Sequence, residues 1–138
     1  MTVPWPSRPA QVPVLALGDV LLVTLQGELL DTAAEQLQQD IAQRVARSGA
    51  TGVVIDISGV DIVDSFLGRV LAEIAANARL MAARTVLAGM RPAVAMTLVE
   101  LGLTLPGLAT ALDVERALEL LSGHPLAAVP SDPGKEDT

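Results

Sequence analysis

The groups able to do chemistry concentrate in one short run, Asp61-Ile-Val-Asp-Ser-Phe-Leu-Gly-Arg69. It brings together two carboxylates, a hydroxyl and a guanidinium. A carboxylate pair such as Asp61 and Asp64 suits acid–base work. Loop acids ahead of a helix, however, more often face the helix dipole or sit in water. Ser65 stands where a helix is expected to open. A serine there either caps the first turn or offers its hydroxyl to another enzyme, and spacing alone favours the cap. Ile62 and Val63, beside it, are expected to be exposed and to form part of a contact surface.

Elsewhere the usual catalytic signals are missing. His124 is the lone histidine and falls where the fold is expected to end, so it makes a poor metal ligand or general base. With no cysteine, disulfides, thiolate catalysis and cysteine–metal sites are excluded. The chain has no glycine-rich phosphate cradle and no nucleophile elbow. An enzyme is therefore not expected, and no cofactor or metal.

Composition narrows the partners. The net charge is −7 and lysine is nearly absent. Nucleic acid and anionic membranes both require basic patches, so neither is expected as a partner. Trp5 and Phe66 are the only aromatics, which leaves no stacking platform for bases. No stretch of about 18 uncharged apolar residues is present to span a membrane. The N-terminus lacks the basic start and apolar middle of a secretory signal. Cytoplasmic residence is the expectation.

The elements that must position the run follow from patterning. Residues 1–11 read as a proline-bearing flexible arm, 12–123 as one folded domain, and 124–138 as a disordered acidic tail. Residues 12–17 and 20–26 are strand-like, with Gly18-Asp19 between them as a tight turn. Pro13 assigns the first strand to a sheet edge. Thr32-Ala-Ala-Glu35 has capping-box spacing and predicts a helix start. Leu37, Ile41 and Val45 continue that helix on one face, and Gly49 closes it. Residues 52–57 are an apolar, β-branched run suited to a strand buried on both faces. A loop over 58–64 leads to a helix over 65–82. A strand over 85–88, a Gly89-Met-Arg-Pro92 turn and a helix starting at Pro92 come next. A short strand near 109–112 and a helix capped by Asp113 complete the order. Alternating strands and helices after a hairpin predict an α/β fold, with a single mixed sheet of four to five strands and about four helices packed on it.

Three stretches carry a resemblance. Val54 to Arg69 resembles the phosphorylation loop of STAS domains, and more narrowly of RsbS-like stressosome scaffolds. Leu80 to Gly102 is similar to the second half of that domain, and Leu29 to Ile41, with Asp31, Ala33, Leu37, Gln38 and Asp40, to its first helix. The resemblance extends over residues 12–121 and implies a STAS fold. It further implies a scaffold that forms homo-oligomers and a large hetero-assembly with RsbR-like paralogues and sequesters an RsbT-like kinase. That kinase would phosphorylate Ser65 on stress and be released, and an RsbX-like phosphatase would reset the state. Thr97 falls near where paralogues carry a second modifiable residue. Asp61, Ile62, Val63, Asp64, Phe66 and Arg69 would form the partner-binding surface. A stand-alone anti-sigma-factor antagonist switched at the same serine, or a small-ligand-binding STAS module, is the alternative.

Overall fold

The computed structural model describes residues 12–27, 29–102 and 108–123. The expected arm and tail, with His124 and Trp5, lie outside them. Nine elements follow in order: β1 (Val14–Leu17), β2 (Val20–Gln26), α1 (Asp31–Ser48), β3 (Gly52–Gly59), α2 (Ser65–Leu80), β4 (Arg84–Ala88), α3 (Pro92–Glu100), β5 (Leu108–Ala111) and α4 (Val114–Ser122).

The five strands form one mixed sheet in the order β1-β2-β3-β4-β5. The β1–β2 hairpin is antiparallel and the remaining pairings are parallel. Pro13 has no N–H to give a ladder, and the strand it precedes is indeed an edge. In the centre, Ile55 is paired with Val23 on one side and Leu87 on the other.

Alternation along each strand divides the core in two. Val53, Ile55 and Ile57 of β3 share one face with Leu21, Val23 and Leu87, covered by Leu37 and Ile41 of α1, Leu71 and Ile74 of α2, and Val94 and Leu98 of α3. Val54, Val86 and Ala88 face the other way, under Ala117 and the partly buried Leu118 and Leu121 of α4. Aliphatic side chains fill both layers, as the near-absence of aromatics requires.

Local starts and stops differ from the patterning at several points: β1 begins at Val14, and β3 runs on to Gly59, which shortens the expected 58–64 loop to 60–64. Helix α1 begins at Asp31, with Leu30 as its N-cap and no side-chain cap bond, so the Thr32–Glu35 capping box is not formed. The buried Ala34 already belongs to the helix's inner face, so packing starts α1 earlier than a box would. Helix α2 ends at Leu80 and not at Ala82, because Ala82 adopts a left-handed φ of 63°. Strands β4 and β5 each begin one residue before the expected position.

Candidate functional site

The site grows from the carboxyl end of β3. Ile57 is the last buried residue of the strand, and the chain turns at once as the Val60 amide donates to the Ile57 carbonyl at 3.0 Å. Val60 and Val63 then plug into the main core. They anchor the loop at both ends and lift Asp61 and Ile62 into solvent between them.

The expected pair of exposed apolar residues is therefore half right. Ile62 is 82% exposed, whereas Val63 is 5% exposed and buried among the core residues. Val63 thus leaves the exposed surface assigned to it. A loop pinned by every third residue cannot present both neighbours outward. Phe66 is half-buried against the same core.

The start of α2 decides how Ser65 is used. Asp64, and not Ser65, is the N-cap: its carboxylate accepts the Leu67 amide at 2.9 Å. The Asp64 carbonyl accepts the Gly68 amide at 3.1 Å, the first bond of the helix. Ser65 is the first helical residue and is exposed. Among the described residues its hydroxyl has no hydrogen-bond partner. The structural work that would occupy a capping serine is done by its neighbour.

The surrounding charges are mostly engaged. Asp61 pairs with Arg91 Nη1, and Arg91 Nε also donates to the Ser58 carbonyl at 3.1 Å. Asp56 accepts the Ser58 amide at 3.0 Å. Arg69 is exposed, one turn along α2 from Ser65, and has no ion pair among the described residues. Thr97 lies in the second turn of α3, half-buried, and its hydroxyl donates to the Ala93 carbonyl at 3.0 Å. Among the described residues no hydrogen bond or ion pair joins it to the Ser65 loop.

Arg91 is the participant the sequence reading missed. It entered only as part of a turn signal, since a side-chain contact spanning 30 residues leaves no local trace. A shallow pocket of about 390 Å³ opens beside the loop, lined by Gly27, Leu29, Asp61, Ile62, Asp64 and Leu67. It sits outside the carboxyl ends of β2 and β3, where ligand crevices of parallel sheets tend to lie. Among the described residues no group of His, Cys, Asp or Glu is arranged to hold a metal ion.

A small mixed sheet with helices on both faces, and a strand–loop–helix junction that leaves a serine hydroxyl in water, define the class. The chain belongs to the STAS domain family, whose model matches residues 11–117. Within the family it resembles RsbS. RsbS of Moorella thermoacetica, in a serine-to-glutamate form, is 40% identical with a TM-score of 0.72, over 82% of this chain and 96% of that one. A chain from the molecular architecture of the stressosome, a signal integration and transduction hub, is 38% identical with a TM-score of 0.68, over 80% and 96%. The RsbT co-antagonist protein RsbRA of Bacillus subtilis (strain 168) is 27% identical over 73% of this chain. The chain spans little more than a third, 37%, of that protein's length.

Proposed function

We propose that this chain is a non-enzymatic cytoplasmic scaffold of an RsbS-like stressosome, which holds an RsbT-like kinase and releases it when Ser65 is phosphorylated. The observation that carries this is the exposed, unpartnered Ser65 hydroxyl at the first position of α2, left free because Asp64 is the cap. The likeness to RsbS and to an RsbT co-antagonist supports RsbR-like paralogues in a large assembly as partners. Homo-oligomers, the RsbT-like kinase and an RsbX-like phosphatase that resets the state complete the proposal. Among the described residues no helix is long and apolar enough to cross a membrane.

The chemistry is phosphoryl transfer from ATP. Ser65 Oγ forms a bond to the γ-phosphorus, the bond to the ADP oxygen breaks, and the hydroxyl proton passes to a base of the kinase. The product carries roughly −1.5 to −2 charges at neutral pH. The fold accommodates them, because the phosphate meets the amides and positive dipole end of α2, with Arg69 one turn away.

A partner resting on Ile62, Phe66 and the carboxylates Asp61 and Asp64 would meet that charge directly. Burying that charge under a partner that brings no counter-ion of its own costs several kcal/mol, whereas about 1.4 kcal/mol already changes affinity tenfold. Release follows without any rearrangement of the scaffold.

Co-purification tests this. The assembled scaffold with Ser65→Ala should retain the kinase and with Ser65→Asp should lose it. Equal retention by both variants rejects the switch.

A further inference from the structure

We propose that Arg91 is the positioning residue of the phosphorylation loop: it ties Ser58, at the end of β3, and Asp61, at the loop's crest, to the start of α3 and so presents the Ser65 hydroxyl to the kinase. This rests on Ser65 being the phosphoryl acceptor.

Between β3 and α2 the chain has no regular structure from Val60 to Asp64. Buried Val60 and Val63 hold its base. Among the described residues the exposed crest, Asp61 and Ile62, is held by one polar side chain that arrives from across the fold. The Arg91 guanidinium binds the Ser58 carbonyl through Nε and the Asp61 carboxylate through Nη1. It therefore joins the end of β3 to the crest of the loop. Lysine, with a single point charge on its stem, cannot hold both contacts in one fixed plane.

The neighbouring residues aim Arg91 at the loop. Gly89, at a φ of 76°, lets the turn after β4 lie against Ser58: a Cβ there would stand 2.9 Å from the Ser58 Cβ. Pro92 occupies the first turn of α3, and Arg91, as N-cap, spends none of its side chain on that helix. The side chain goes to the loop instead.

Charge adds a second consequence. Asp61 and Asp64 both flank the acceptor, and an incoming nucleotide is itself a polyanion. Pairing Asp61 with a guanidinium removes one of the two repulsions the γ-phosphate would meet. Both members of the pair are more than half exposed. Such a pair contributes little to global stability, so its effect should appear in the loop and in the modification rate.

The test uses the full chain, the cognate kinase and ATP, with amide hydrogen exchange as an independent readout. Arg91→Ala should raise exchange at the two hydrogen-bonded amides that flank the crest, Val60 on the Ile57 carbonyl and Leu67 on the Asp64 carboxylate, while leaving the strands and the thermal midpoint nearly unchanged. It should lower kcat/KM for Ser65 phosphorylation by about ten- to a hundredfold, as misplacement of a reacting group does. Arg91→Lys should fall between the two. Unchanged loop exchange in Arg91→Ala, or phosphorylation at the wild-type kcat/KM, overturns the proposal. Wild-type chain that takes no phosphate on Ser65 also overturns it, and that control assigns the failure to the reading of Ser65 and not to the tether.

Discussion

Helices α2 and α4 start alike and end up in different surroundings. Each is capped by an aspartate in extended conformation whose carboxylate accepts the amide three residues on, Asp64 from Leu67 and Asp113 from Arg116. The next residue separates them. After Asp113 comes Val114, partly buried against the second core layer. After Asp64 comes Ser65, in water. Asp113 also takes the Arg116 guanidinium at 2.8 Å, so its charge is answered within its own turn. Among the described residues Asp64 has no such counter-ion. Identical capping chemistry thus gives one helix start closed by its own residues and another left open. The open one lies above the central strand, beside the pocket, and carries the hydroxyl.

Variants at the two starts sharpen this contrast. The largest expected effect lies beneath the open start. Val63→Asp should destabilise the chain by about 3 kcal/mol or more, because it puts an unpaired charge into the aliphatic core. Ile62→Asp, one residue away, should stay within about 0.5 kcal/mol yet weaken kinase capture. Urea denaturation of the two variants reads the difference. Gly89→Ala should cost about 1–3 kcal/mol, since a non-glycine residue would be held at positive φ against Ser58. A midpoint equal to wild type would show that the backbone at position 89 accepts a Cβ beside Ser58 without strain.

The caps come next. Asp64→Ala and Asp113→Ala should each lose about 1 kcal/mol. Matched losses with kinase binding impaired only for Asp64→Ala would uphold the division between a closed and an open start. Loss of binding in both would erase it. The smallest effect belongs to Ser65→Ala, expected to stay within about 0.5 kcal/mol because the hydroxyl caps nothing. A loss as large as a cap's would mean that the serine holds the fold.

The same two starts explain what was legible in the sequence. Asp113 as a cap, the β1–β2 hairpin, the edge position of β1 and the burial of β3 were all readable, because each depends on residues a few positions apart. The α2 start is legible, with Ser65 at or next to its cap, but which of the two residues caps is not. Adjacent Asp64 and Ser65 are both good caps, and backbone conformation at one position decides between them. Val63 was misjudged because burial of a loop residue depends on what the strand and two helices leave open beneath it. Arg91 was overlooked as a partner of Asp61 for the same reason: the sheet, not the sequence, brings the turn after β4 beside the loop after β3. Short-range chemistry was visible, and the contacts that hold the site in place were not.

The central claim is that Ser65 is a phosphoryl acceptor poised in water on a fold that does not change when it is modified. Phosphopeptide mapping after incubation of the full chain with an RsbT-like kinase and ATP, with a thermal melt of the product, tests this directly. The expected product carries a single phosphate on Ser65 and melts close to the midpoint of the unmodified chain. A phosphate elsewhere, on Thr97 for example, or none at all, would contradict it.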